Sequence, residues 1–132
     1  MKEEKTNVMR VLERAKLDYR HYCYAGTGAL SGGEVARALG QDPNRVFKTL
    51  VTVGEKSVAM VKSKELLGLT GYIHGGCSPI GMKKLFVTRV DRTAERMETI
   101  LFSAGKIGYQ VELAPEALRK VVPFEFAELT AE

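Results

Sequence analysis

Three places in this sequence could do chemistry, and none of them carries a nucleophile–base signature. Lys48 stands inside an otherwise apolar and β-branched run, VFKTLVTV, at residues 46–53. Side chains alternate across a strand, so Val46, Lys48, Leu50 and Thr52 would share one face. An ammonium there needs solvent, an anion or a ligand, because burying it unpaired is costly. It is either a solvated residue at a strand end or a cation aimed into a pocket. In a pocket it would bind phosphate or stabilise developing negative charge.

The second place is GYIHGGCSPIGMKK, residues 71–84, which holds four glycines and ends in Lys83 and Lys84. Adjacent Gly75 and Gly76 permit positive φ and can leave main-chain N–H groups uncovered. Consecutive bare amides form an anion nest or an oxyanion hole; a tight connection needing small residues would look the same. The lysine spacing does not match a phosphate-binding Walker loop, nor do the glycines match the dinucleotide-binding fingerprint. Cys77 and Ser78 are nucleophiles by type, but activation needs a positioned base, and His74 is the one nearby in sequence. The third place is Ser103, a hydroxyl beside the turn Ala104-Gly105-Lys106, where plain turn chemistry is the simpler use. Tyr22 and Tyr24 on an early aromatic strand supply one core residue and one pocket or surface residue.

Elements that would position these groups follow from periodicity. Val8, Val11, Leu12 and Ala15 recur at helical spacing and predict a helix over about residues 6–16. DYRHYCY (18–24) alternates and predicts a strand. Ser31, three residues before Glu34, forms a capping-box pattern opening the helix EVARAL, and Gly40 can end it. Asp42-Pro43 opens a further turn. Residues 46–53 give the clearest strand signal. SVAMV (57–61) predicts another strand, and Ser63 a cap for KELLGL. KLFVTRV (84–90) reads as a strand, and Asp91 as the cap of TAERM. TILFSA and YQVEL, joined by GKIG, predict a hairpin. Ala114-Pro115-Glu116 opens the helix ALRKVV, and FEFAELTAE is a short final segment. Strands and short helices do not alternate strictly. The expectation is therefore an α+β domain with a mixed, mainly antiparallel sheet and short helices packed around it.

The chain has 132 residues, 45% of them hydrophobic, which suits one domain with one core. Its two cysteines, Cys23 and Cys77, argue against a disulfide scaffold, and no Cys or His spacing suits a metal. No apolar run approaches the ~20 residues of a membrane helix. The charged start MKEEKTNVMR lacks a signal peptide's apolar middle, so a cytoplasmic protein is expected. Lys plus Arg is 20 and Asp plus Glu is 16, a net charge of +4. That permits a polyanionic partner without demanding one.

Three segments together, VFKTLV with Lys48, TGYIHGGCSPIGMKK, and SAGKIGYQVEL with Ser103, resemble the YbaK/EbsC family in order and spacing. These are free-standing aminoacyl-tRNA editing domains whose fold is also inserted in some prolyl-tRNA synthetases. The resemblance runs from GGEVARALG to ELAPEAL. The GG-x-SP-x-G-x-KK form is most similar to the Cys-tRNA(Pro) deacylases. It implies a single YbaK-like domain spanning residues 1–132, with no metal and no cofactor. It implies mischarged tRNA(Pro) as partner and prolyl-tRNA synthetase as a candidate second partner; oligomeric state stays open. It implies that Lys48 holds the terminal adenosine or its phosphate, and that the Gly75 and Gly76 amides face the aminoacyl carbonyl. Tyr24 (or, with a small shift, Tyr22), Thr49, Ser78 and Ser103 would line the substrate pocket. The reaction it implies is attack by the substrate cysteine's own thiolate on its ester, giving a thiolactone. Rival readings are editing of Ala-tRNA(Pro) or Ser-tRNA, hydrolysis by water, and a non-catalytic tRNA-binding module.

One departure stands out. In the family a further strand and helix, at least roughly a dozen residues, lie between the KTLV strand and the segment matching EKSVAM. Here Gly54 runs straight into Glu55. Either the protein has lost this stretch or the chain as written leaves it out; losing a sheet strand would expose an edge and part of the core, which favours the second.

Overall fold

Thr6 opens the chain's first helix by accepting a hydrogen bond from the Met9 N–H, 3.2 Å away. The computed structural model describes residues 5–29, 32–53, 59–73, 76–83 and 86–129. In chain order the elements are α1 (Asn7–Arg14), β1 (Arg20–Cys23), α2 (Gly32–Leu39), β2 (Thr52–Val53), β3 (Ala59–Met60), α3 (Ser63–Thr70), β4 (Arg89–Asp91), β5 (Ile100–Ser103), β6 (Tyr109–Leu113), α4 (Pro115–Val121) and β7 (Glu125–Ala127). Short 3-10 turns sit at Pro43–Arg45 and Arg92–Arg96, capped by the Asp42 and Asp91 carboxylates. Among the described residues no helix is long and apolar enough to cross a membrane.

The central sheet has the order β1-β6-β5, antiparallel throughout. The hairpin expected from TILFSA and YQVEL is β5–β6, with Ser103 opposite Gln110. Two smaller sheets join it: β2 with β3, antiparallel, and β4 with β7, parallel. The architecture is thus the mixed, mainly antiparallel α+β arrangement expected.

Strand alternation gives the central sheet two faces with different work. Ile100, Phe102, Val111 and Leu113 enter the main core with Val8, Met9 and Leu12 of α1 and Leu118 of α4. Burying a side chain such as Leu12 contributes roughly 1.5–3 kcal/mol, so α1 is held by packing rather than by propensity. The opposite face carries Tyr22, Gln110 and Ser103 in one row across the ladder, with Leu101 and Glu112 in the next.

Two strand expectations were too long. Of residues 46–53, only Thr52 and Val53 lie in a regular strand; Val46 makes a single parallel bridge to Leu101. The Phe47 N–H also donates to the Leu101 carbonyl at 2.7 Å. The intervening residues have largely strand-forming side chains but, among the described residues, no continuous neighbour to hydrogen-bond, and a ladder needs one. KLFVTRV likewise yields only β4 at its end, and Lys84 and Leu85 lie outside the described residues. Ser63 falls inside α3, whose N-cap is Lys62. Ser31, the expected cap of α2, is outside the described residues.

Candidate active site

Residues 46–51 run between two cavities. The smaller, about 370 Å³, touches the sheet face that carries Ser103 and Gln110. The larger, about 690 Å³, touches Ile100 and Phe102 on the opposite face of β5 and is lined mainly by apolar groups. Lys48 and Thr49 border both.

The smaller cavity gathers residues far apart in sequence. Tyr24 comes from the end of the first strand, Lys48 and Thr49 from the unpaired segment, Cys77 from the glycine loop, and Ser103 from the end of β5. Tyr24 is buried, its N–H donating to the Gly108 carbonyl at 2.7 Å, which ties it to the hairpin turn. Lys48 is exposed, so its ammonium keeps water while bordering the cavity. Val35, Leu66 and Ile107 supply apolar wall. Ser103 Oγ accepts the Gly105 N–H at 3.1 Å, the turn bond expected of it, and a hydroxyl that accepts can still donate its own proton. The volume lies at the low end of small-ligand sites, which run roughly 300–1,000 Å³.

Tyr22, the alternative to Tyr24, is engaged elsewhere. Its hydroxyl donates to Glu112 Oε1. Glu112 Oε2 receives Arg45 Nη2 at 2.9 Å and the Thr99 hydroxyl at 2.6 Å, and Arg45 Nε donates to the Thr99 carbonyl at 3.2 Å. Burial pushes the Glu112 carboxyl up, but hydrogen bonds from Thr99, Tyr22 and Arg45 outweigh it and hold the group below its ordinary range. The Arg45–Glu112 pair pins the residue just before Val46 to the sheet, and so fixes where the Lys48 segment begins.

The glycine loop is built differently from the expectation. The Gly76 N–H donates to the Ile73 carbonyl at 3.0 Å, so this amide is not bare. Gly76 is buried, and a Cβ there would lie 3.0 Å from the Ile107 N and 3.3 Å from the Lys106 carbonyl carbon. Its glycine is required by close approach of two backbones. Gly81 (φ 75°) is similarly hemmed in, since a Cβ would meet the Tyr72 hydroxyl and the Asn7 side chain at 2.9 Å. Ser78 is wholly buried, and its Oγ accepts the Ile80 N–H at 3.4 Å, so it packs the loop and does not border the cavity. Gly75 and His74 lie outside the described residues. Cys77 does reach the cavity wall, where burial pushes its thiol up and a Thr70 hydrogen bond offsets only part of that. A protonated thiol is a poor nucleophile, so the geometry does not favour a covalent Cys77 mechanism.

Gln110 borders the same cavity and was not anticipated. The signal was present: in YQVEL, Val111 and Leu113 share the core face, which leaves Gln110 on the face of its ladder partner Ser103. The Arg45–Thr99–Glu112 cluster, spanning 67 residues between its ionic partners, had no local signature.

Comparison with known proteins places this geometry in a family. The aminoacyl-tRNA editing domain profile matches residues 52–121. A protein of Enterococcus faecalis, provisionally named Cys-tRNA(Pro)/Cys-tRNA(Cys) deacylase EbsC, is 41% identical over 155 aligned positions, covering 97% of this chain and 94% of that protein. The aligned span exceeds the 132 residues here, so the relative has residues with no counterpart in this chain. A crystal structure described as a candidate trans-editing enzyme for prolyl-tRNA synthetase superposes with a TM-score of 0.82 at 19% identity, covering 95% of each chain. Another, described as hypothetical protein APE2540, gives 0.80 at 21% identity over 95% of this chain and 98% of that one. At those identities the two structures speak to fold, and the sequence match speaks to kinship. This chain belongs to the aminoacyl-tRNA editing domain family.

Proposed function

We propose that the protein is a trans-editing deacylase that removes cysteine from mischarged Cys-tRNA(Pro), with the 370 Å³ cavity as its active site. The observation that supports this most is the convergence of Tyr24, Lys48, Thr49 and Ser103 from three separate segments on that one cavity. Lys48, exposed at the border, is suited to the phosphate or adenosine of the tRNA end, where a solvated cation meets a polyanion. The apolar wall beyond it suits a small, neutral side chain.

In this reading the substrate's thiol supplies the nucleophile. Its sulfur attacks the ester carbonyl carbon, a C–S bond forms, and the C–O bond to the ribose breaks. The thiol proton ends on the departing ribose hydroxyl, leaving a cyclic thiolactone and free tRNA. The protein's task is to fold the aminoacyl group into attack geometry and to stabilise the oxyanion. Ser103, at the cavity wall, carries an O–H donor suited to that task. Gly76 does not, because its amide is already used by Ile73; Gly75 remains the loop's candidate. The net charge of +4 favours tRNA as partner. A synthetase bound to the same tRNA would supply the tRNA selectivity that so small a cavity cannot. The working compartment is the cytoplasm, where tRNA is charged.

The test is a panel of Cys-tRNA(Pro), Ala-tRNA(Pro) and Ser-tRNA with the wild-type chain and Lys48→Ala. Cleavage of the cysteinyl ester is expected, with Lys48→Ala lowering kcat/KM at least about 100-fold, the range for losing an electrostatic contact to the transition state. The melting temperature should hold, since Lys48 is exposed. Cleavage of the alanyl ester alone would exclude thiol attack. Tight tRNA binding with no cleavage of any ester would make the protein a binding module.

A further inference from the structure

The side-chain carbonyl oxygen of Gln110 is enclosed by the fold without a partner among the described residues. The residue is 6% exposed, and its Oε1 is fully shielded yet accepts no hydrogen bond from any described residue. It stands in the row Tyr22–Gln110–Ser103 and lines the active-site cavity with Tyr24, Lys48 and Cys77. Neither flanking hydroxyl serves it: Tyr22 donates to Glu112, and Ser103, whose Oγ accepts the Gly105 N–H, makes no hydrogen bond to Gln110 Oε1.

Buried polar atoms are almost always satisfied, and an exception calls for an explanation. An orphan acceptor is a standing penalty that an apolar residue of the same shape would remove. The wall around Gln110 is largely apolar, so nothing in the packing demands an amide there. The missing donor is therefore expected to arrive with the ligand.

We infer that Gln110 is a specificity-determining residue whose side-chain carbonyl accepts a hydrogen bond from the α-ammonium of the aminoacyl group. This deepens the editing reading and rests on it. With Lys48 exposed at the cavity border and holding the nucleotide end, the aminoacyl group is the part that reaches the sheet. Of its groups, the ammonium carries three N–H donors and is the one most penalised by desolvation, while a thiol is a weak donor. A neutral amide suits this position for a second reason. A carboxylate there would raise the pKa of the adjacent substrate thiol and work against thiolate attack; the amide holds the ammonium without adding negative charge.

The test compares cysteinyl-tRNA(Pro) with 3-mercaptopropionyl-tRNA(Pro), which has the same ester and thiol but no ammonium. Wild type is expected to prefer the cysteinyl ester about tenfold or more in kcat/KM, the range for a hydrogen bond to a charged group. Gln110→Leu should lose most of that preference by slowing the cysteinyl substrate, leave the des-amino substrate within twofold, and melt at or above the wild-type temperature. Gln110→Glu should keep the preference while its pH–rate profile moves to higher pH. Equal slowing of both substrates, or a preference that survives in Gln110→Leu, overturns the assignment while leaving the deacylase reading intact. Failure of wild type to cleave either ester overturns both.

Discussion

Truncating Arg45 to alanine should cost the fold about 2 kcal/mol at neutral pH, and the deficit should shrink in acid. Arg45 reaches Glu112 at 2.9 Å with 29% of its side chain exposed, and Glu112 has 12% exposed. Removing one partner of a fully buried pair costs roughly 3–5 kcal/mol, and a fully exposed pair is worth about 0–1 kcal/mol. This pair lies between those limits. The Thr99 and Tyr22 hydroxyls would still serve the stranded carboxylate, which places the loss near the middle. The Glu112 carboxyl is held below its ordinary value of 4.5 in the folded protein. A depressed folded value means stability that is present above the unfolded value and lost as pH falls through the folded one. Without Arg45 the folded value rises, less of that stability exists to lose, and the two proteins converge in acid. Urea unfolding at pH 7 and near pH 4 measures both. A loss under about 0.5 kcal/mol at pH 7, or an equal deficit at both pH values, would refute the argument. Because Arg45 precedes the Val46 bridge to Leu101, the same variant should lower kcat/KM several-fold through misplacement of Lys48. Arg45→Lys should recover only part of it, since one ammonium cannot reproduce the guanidinium's fork.

Gly76→Ala puts a Cβ 3.0 Å from the Ile107 N; overpacking of this kind costs about 1–3 kcal/mol, and thermal melts should show it together with reduced deacylation. An unchanged melt would mean that the loop and turn are less closely apposed than described. The two thiols should differ sharply: Cys23 is exposed, while Cys77 is buried with its thiol pushed up. A disulfide reagent at pH 8 is expected to modify Cys23 at least about tenfold faster, and equal rates would contradict the burial of Cys77. Cys77→Ala should retain deacylation within a few-fold, whereas inactivation with the fold intact would restore Cys77 as a nucleophile.

What could be read from the chain alone was local. Local patterns found α1, the turn at Asp42-Pro43, the Asp91 cap and the β5–β6 hairpin, because each depends on residues a few positions apart. Lys48 stood out because a charge inside an apolar run is anomalous without any knowledge of the fold, and family resemblance linked it to Ser103. The reading of residues 46–53 as one strand failed because side-chain preference reports what a segment could pair, not whether a neighbour exists. A relative carries residues with no counterpart here; the junction of Gly54 and Glu55, where the family resemblance puts such a gap, lies outside the described residues. The surroundings of Gly76 and Ser78 were illegible for a different reason. A glycine kept for a bare amide and one kept for close backbone approach look identical in sequence, and only the Ile73 and Ile107 contacts separate them. The Arg45–Glu112 pair needed the register of β6, which no local pattern supplies.

The apposition of Gly76 to the main chain at Lys106 and Ile107 changes what the hairpin tip will tolerate. Loop tips are ordinarily where chains accept extra residues or new termini. Here the tip is a wedge seated against another loop, so its length matters more than its side chains. Lengthening the Gly105–Gly108 connection by one residue should therefore harm the protein more than changing the exposed Lys106 or Ile107. An engineer seeking a site for a tag or a circular permutation should look away from this bend.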